Sequence, residues 1–127
     1  MNQYNENKEK NGYWEKYYNS NGNLWSKGNY INGKRSGYWE GYSYNGNLFY
    51  KGDYINNNKT GYWEYYHSNG NLWYKGNYSN GKRIGHWEGY FYNGELRYKG
   101  KYINYKQNGY WEGYRDNGKL IYKQFYI

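Results

Sequence analysis

Gly61-Tyr62-Trp63-Glu64-Tyr65-Tyr66-His67-Ser68-Asn69-Gly70-Asn71-Leu72-Trp73-Tyr74-Lys75-Gly76-Asn77-Tyr78 sets two aromatic-rich runs on either side of Asn-Gly. Asn and Gly tolerate positive φ, so the pair suits a tight type I′ turn and the stretch predicts a β-hairpin. With Asn69-Gly70 as a two-residue loop, facing positions sum to 139. Glu64 then faces Lys75 and Trp63 faces Gly76, matching charge and bulk across the strands. A three-residue loop would shift the pairing by one and set Glu64 against Tyr74, so the shorter loop is expected.

The hairpin recurs. Trp39, Trp63, Trp87 and Trp111 keep a 24-residue period, as do the Asn-Gly pairs beginning at 21, 45, 69, 93 and 117. Such a period marks an array in which each unit packs on its neighbours. The expected fold is all-β, an elongated single-layer antiparallel meander of about five consecutive hairpins. Residues 1–11 are expected to be a flexible N-terminal segment and 12–127 the repeat domain, with units at about 12–36, 37–60, 61–84, 85–108 and 109–127. The first unit has one additional residue between Trp14 and Asn21, expected as a bulge. Two strands per unit, about 4.8 Å apart, advance the sheet by roughly 10 Å, giving a ribbon on the order of 45–50 Å long.

The predicted register repeats along the chain: Glu40 faces Lys51, Glu88 faces Lys99 and Glu112 faces Lys123. It predicts that Trp39 covers Gly52, Trp63 covers Gly76 and Trp87 covers Gly100, and that Tyr50, Tyr98 and Tyr122 lie over Gly41, Gly89 and Gly113. One face thus carries Trp, Leu, two Tyr and glycine and is expected to be packed. The other carries Tyr62, Glu64, Tyr66, Trp73, Lys75 and Asn77 and is expected to be open. The column that varies among copies there, Trp25, Phe49, Trp73, Arg97 and Ile121, is the candidate protein-binding face.

Composition limits the rest. The 127 residues allow one domain, and 27 % of them are aromatic, so Tyr must do the packing that Val and Ile do elsewhere. With no Cys there is no disulfide framework and no thiolate metal site. The start of the chain has no apolar run that could serve as a signal peptide. A cytoplasmic protein is expected, in the host cytoplasm if the chain is viral. A net charge of +8 favours acidic partners without identifying one.

Tyr30-Ile31-Asn32-Gly33-Lys34-Arg35-Ser36-Gly37-Tyr38-Trp39 resembles the MORN repeat, in its bacterial and viral variant form Tyr-x-Asn-Gly-Lys-x-x-Gly-x-Trp. Asn57 and Tyr105 replace its turn glycine in two other copies, and Gly-x-Trp stands where the commonest MORN form has Gly-x-Gly. The resemblance covers roughly residues 12 to 127 and implies an elongated sheet of consecutive hairpins. Members of the variant family are often labelled antitoxin components, and eukaryotic MORN proteins look like scaffolds for protein assembly or membrane junctions.

Five Trp-Glu pairs could suggest a carboxylate array, but each Glu has a Lys predicted across the strand, and a catalytic site is not copied in every unit of a scaffold. His67 and His86 occupy different positions in their repeats and read as surface substitutions. The Gly-x-Lys matches follow the hairpin period and open no helix, which excludes a phosphate loop. No catalytic residue, cofactor or metal is expected. Lys34, Arg35, Lys59, Lys82, Arg83 and Lys106 fall in the inter-repeat turns and form a candidate anion-binding edge. The reading is a non-enzymatic scaffold or adaptor for a protein partner. Binding of an acidic membrane surface through the basic turns is the alternative, and an antitoxin-like protein that binds a toxin ranks third. Nucleic acid is the weakest partner class, since no recognised motif accompanies the exposed rings.

Overall fold

A computed structural model describes residues 2–127. Eleven strands run β1 (Gln3–Tyr4), β2 (Lys10–Tyr17), β3 (Leu24–Ile31), β4 (Lys34–Tyr42), β5 (Leu48–Ile55), β6 (Asn58–Tyr66), β7 (Leu72–Ser79), β8 (Lys82–Tyr90), β9 (Leu96–Ile103), β10 (Lys106–Tyr114) and β11 (Leu120–Tyr126). Each pairs antiparallel with its neighbour in chain order, giving one elongated sheet of repeating hairpins. Trp63 is paired with Gly76 and Glu64 with Lys75, as the hairpin reading requires.

The loop that produces this register differs from the two-residue turn. His67 N–H donates to the Asn71 carbonyl at 2.8 Å and Gly70 N–H to the His67 carbonyl at 2.9 Å, so Ser68-Asn69-Gly70 is a three-residue loop. Only Gly70 carries positive φ, at 92°. Asn69 serves through its side chain, whose Oδ1 accepts the Asn71 N–H at 3.0 Å, a local bond that stabilises the turn. The shift that a three-residue loop imposes is cancelled one step later. Tyr66 pairs with Leu72 and Tyr65 with Tyr74, leaving Trp73 as the extra residue of a β-bulge.

Type I′ turns do occur, but between hairpins. Asn32-Gly33, Asn56-Asn57, Asn80-Gly81 and Asn104-Tyr105 all have positive φ at both residues. They are closed by Ile31–Lys34, Ile55–Asn58, Ser79–Lys82 and Ile103–Lys106. These connections are two residues long, so the residues after them already belong to strands. Tyr105 holds φ at 67°, a region that costs an L-residue about 1–2 kcal/mol. Tyr105→Gly should therefore stabilise the protein by about 1 kcal/mol in urea unfolding; no gain would mean that the Lys82 ammonium over the Tyr105 ring already offsets the strain.

The N-terminal part corrects one expectation. Within the segment 1–11, Met1 lies outside the described residues, and Gln3–Tyr4 pairs with Lys10 and Asn11 to form a short first strand. Trp14 Nε1–H donates to the Gln3 carbonyl at 2.9 Å, and Tyr4 packs edge-on against Trp14 at 5.1 Å. The additional residue of the first unit lies in the loop and not in a strand. There Gly22 N–H reaches back to the Tyr18 carbonyl, four residues away, where the other loops span three.

Trp39, Trp63, Trp87 and Trp111 form the core with Tyr54, Tyr65 and Tyr78. Although Trp63 faces Gly76 in its own hairpin, its indole lies over Gly52 of the hairpin before, where a Cβ would fall among the ring atoms. Trp39, Trp87 and Trp111 lie likewise over Gly28, Gly76 and Gly100. The covering expected within hairpins therefore acts between them. The tyrosine coverings match the expectation: Tyr50 lies over Gly41, Tyr98 over Gly89 and Tyr122 over Gly113.

The ion pairs point the same way. Lys51 Nζ lies 3.3 Å from Glu64, Lys27 3.4 Å from Glu40, Lys75 3.5 Å from Glu88 and Lys99 3.7 Å from Glu112, each joining one hairpin to the next. Such partly exposed pairs contribute about 0–1 kcal/mol each, so the buried indoles dominate the coupling between units.

Candidate interaction surfaces

The candidate column has one structural cause. Trp25, Phe49, Trp73, Arg97 and Ile121 are each the residue inserted by a bulge, since Lys16–Ser26, Gly41–Tyr50, Tyr65–Tyr74, Gly89–Tyr98 and Gly113–Tyr122 pair on one side of it and Tyr17–Leu24, Tyr42–Leu48, Tyr66–Leu72, Tyr90–Leu96 and Tyr114–Leu120 on the other. A bulge re-aims its extra side chain. Trp73 therefore meets Tyr74 edge-on at 5.1 Å and Phe49 at 6.3 Å, while Phe49 meets Tyr65 at 6.5 Å.

The column thus lies on the face of the buried Trp row, at its loop end, and not on the Glu-Lys face where the two-residue loop would have put it. Leu72 makes the reverse exchange. It pairs with Tyr66, whose O–H donates to Glu64 at 2.6 Å, so the leucine belongs to the charged face. The column stays accessible: Trp25 is 43 %, Phe49 39 %, Trp73 36 % and Ile121 55 % exposed. Arg97 is exposed too, with its guanidinium 5.4 Å from the Phe91 ring. A shallow recess continues from Trp73 past Arg97 to Ile121.

The basic residues separate into two groups. Because the inter-repeat turns hold only two residues, Arg35, Lys59 and Arg83 sit on strands opposite Tyr30, Tyr54 and Tyr78. Their cationic groups lie over Trp39 at 4.5 Å, Trp63 at 5.1 Å and Trp87 at 4.4 Å, as cation–π contacts on the core. Burial, with Arg83 and Arg35 nearby, lowers the Lys59 pKa from the ordinary ammonium value. Lys34, Lys82 and Lys106 flank the turns and are exposed.

On the charged face, burial works against ionisation of Glu64. Hydrogen bonds from Tyr66, Tyr62 and Lys51 outweigh it and leave the carboxyl pKa lowered. Glu40 is held in the same way by Tyr42, Tyr38 and Lys27. His67 Nε2 is 2.8 Å from the Tyr90 carbonyl, and its ring lies 5.3 Å from that of Trp73. Among the described residues, no group of three or more His, Cys, Asp or Glu could hold a metal ion, and no helix is long and apolar enough to cross a membrane.

The four stretches 10–32, 59–80, 83–104 and 107–127 match the MORN repeat variant model. The chain belongs to the MORN repeat family. Residues 33–58 fall outside the matched stretches, yet their hairpin has the same bulge at Phe49 and the same buried tryptophan, Trp39. No curated protein matches the chain. MORN repeats form a non-catalytic scaffold fold that in general mediates protein interactions. Sequence reasoning missed what sets the MORN column apart, namely a bulge in every hairpin. The available signal was the single residue that changes from copy to copy after each Leu, Trp25, Phe49, Trp73, Arg97 and Ile121, followed by Tyr in four copies and by Ser26 in the first.

Proposed function

We propose that this MORN array is a non-enzymatic scaffold that presents its bulge column to a protein partner. The observation that carries the reading is the placement of Trp25, Phe49, Trp73, Arg97 and Ile121, which are exposed on the same face as the buried Trp39, Trp63, Trp87 and Trp111. Exposed aromatic and arginine side chains on a rigid base are the residue types that carry most interface energy. Because each is the inserted residue of a bulge, it can be changed without disturbing the Trp row beneath.

Binding of an acidic phospholipid surface is the second reading, and it rests on the exposed Lys34, Lys82 and Lys106. Arg35, Lys59 and Arg83, the other half of that edge, are engaged on the tryptophans. A toxin would be one identity for the protein partner.

The discriminating experiment compares two variants in partner capture from the native organism. Trp25→Ala/Phe49→Ala/Trp73→Ala should keep the fold and reduce capture at least tenfold, whereas Lys34→Gln/Lys82→Gln/Lys106→Gln should leave capture within about twofold. The reverse result, capture kept by the aromatic variant and lost by the three-lysine variant, would reject the column in favour of the charged edge.

A further inference from the structure

One position breaks the aromatic row. Tyr50, Tyr74, Tyr98 and Tyr122 occupy the same place in four hairpins, and Ser26 occupies it in the first. Where the tyrosine is present its ring is a structural part: Tyr50 stacks on Trp63 at 5.7 Å and Tyr98 on Trp111 at 6.1 Å, each against the tryptophan of the following hairpin. A ring at position 26 would meet Trp39. The facing position also departs from the pattern, with Lys16 paired to Ser26 where Gly41, Gly89 and Gly113 lie beneath their tyrosines.

The result is a recess of about 460 Å³ bordered by Trp14, Tyr30, Trp39, Tyr4, Ser26 and Lys16. Its size lies within the roughly 300–1,000 Å³ of small-ligand sites. Tyr4, Trp14, Tyr17, Tyr30 and Trp39 are its aromatic lining, and Ser26 borders it while only 6 % exposed. Lys10 and Lys16 also border it: Lys10 Nζ lies 5.0 Å from the Trp14 ring and 5.1 Å from that of Tyr30, while Lys16 Nζ lies 4.4 Å from the ring of Trp25, a neighbour outside the recess. Glu15 also borders the recess, but its carboxylate accepts the hydroxyls of Tyr13 and Tyr17 and so faces its own strand.

We infer that the first hairpin is a receptor for an aromatic side chain of the protein partner, a tyrosine or phenylalanine flanked by carboxylates, which lies over the facing Lys16 as Tyr74 lies over the facing Tyr65. The ring completes the stack on Trp39, and the flanking carboxylates meet Lys10 and Lys16. The inference rests on the protein-partner reading above and adds the chemistry that the partner must carry.

The probe is the peptide acetyl-Asp-Tyr-Asp-amide, followed through the indole N–H resonance of Trp14, which donates to the Gln3 carbonyl at the edge of the recess. Saturable shifts are expected, at least tenfold weaker for acetyl-Asp-Ala-Asp-amide and severalfold weaker for Lys16→Gln. Ser26→Tyr rebuilds the ring that four hairpins already contain. It should raise the thermal midpoint by a few degrees while weakening the peptide at least tenfold, whereas Ser26→Ala should bind as the wild type does. Ser26→Leu, a smaller filler, checks the loss of binding independently of tyrosine. Unchanged peptide binding in both filled variants would overturn the site, and so would a Ser26→Tyr protein less stable than the wild type. Free 4-hydroxyphenylacetate binding as tightly as the peptide would assign the recess to small aromatic acids and overturn the partner assignment. Should the peptide not bind while capture still depends on Trp25, Phe49 and Trp73, this inference falls and the scaffold reading stands.

Discussion

Trp63→Ala should destabilise the protein by about 3–5 kcal/mol, the cost of emptying a fully buried large aromatic position, against a total of about 5–15 kcal/mol for an ordinary domain. The side chain is 0 % exposed, and the rings of Tyr54, Tyr50 and Tyr65 lie 5.0, 5.7 and 5.9 Å away. Its Nε1–H donates to the carbonyls of Asp53 at 3.0 Å and Thr60 at 3.2 Å, where the β5–β6 ladder changes register, so alanine also leaves those groups unpaired. The loss falls on the junction between β5 and β6, because this indole rests on Gly52. In an array stabilised by nearest-neighbour interfaces, one weakened junction uncouples the two halves. Thermal unfolding should change from one transition to two, with exchange protection lost first at the Lys51–Glu64 pairing.

Gly52→Val tests the same junction from the other side. A Cβ there would meet Cδ2 and Cε2 of Trp63 inside van der Waals contact, so the indole must leave and a comparable loss is expected. The double variant Gly52→Val/Trp63→Ala should cost less than the sum of the single changes by at least about 1 kcal/mol, since the valine occupies space that the indole vacates. Strict additivity would show that the Trp-on-Gly contact does not couple the hairpins.

The strands and their register were readable because tryptophan, glycine, glutamate and lysine return every 24 residues and each constrains its partner. The faces were harder to read. Ser68-Asn69-Gly70 as a three-residue loop and Trp73 as a bulge shift the pairing by one in opposite senses, so Glu64 still meets Lys75, and that match cannot distinguish them from a two-residue loop. Between the two irregularities, however, Leu72 and Trp73 exchange faces. Direction was hidden for another reason. An inner strand has two neighbours, and the backbone sets Lys75 beside both Glu64 and Glu88, whereas the ionic contact goes to Glu88. Pairing arithmetic within one hairpin carries no information about that choice.

The basic edge illustrates a further limit. Asn32-Gly33 looked like one part of a short polar turn that also held Lys34 and Arg35, but its two positive-φ residues close the turn at once and place Arg35 on a strand beside Tyr30. A cation beside a row of tryptophans then gains more by lying on an indole than by standing in water at the margin. The departure of Ser26 from the tyrosine column stands in the sequence. Its meaning required the structure, because only there does the tyrosine of one hairpin touch the tryptophan of the next.

Stability should fall steeply above about pH 10, the ordinary value for tyrosine and hence that of the unfolded chain. In the fold, burial and the Glu40 carboxylate push Tyr38 up to about 12, and burial and Glu88 push Tyr90 up to about 12. Burial, reinforced by Glu64, raises Tyr62 and Tyr66 as well, and burial with the Tyr78 contact raises Tyr65. A raised folded value means that the fold favours the neutral phenol. Below about pH 10 both states keep these protons and the stabilisation is fully present; above it the unfolded chain releases them first, so stability declines until the folded values are passed. Lys59 acts in the opposite sense, because its lowered value makes the folded state release a proton earlier, but it is one group against several tyrosines. Tyrosinate absorbance at high pH and tryptophan fluorescence should therefore change together in one cooperative step. Tyr65→Phe, which removes a buried group with one of the raised values, should make the decline of stability with pH less steep. Tyrosinate absorbance that rises gradually from about pH 10 while the tryptophans stay buried would show that the phenols ionise within the intact sheet and do not limit its alkaline stability.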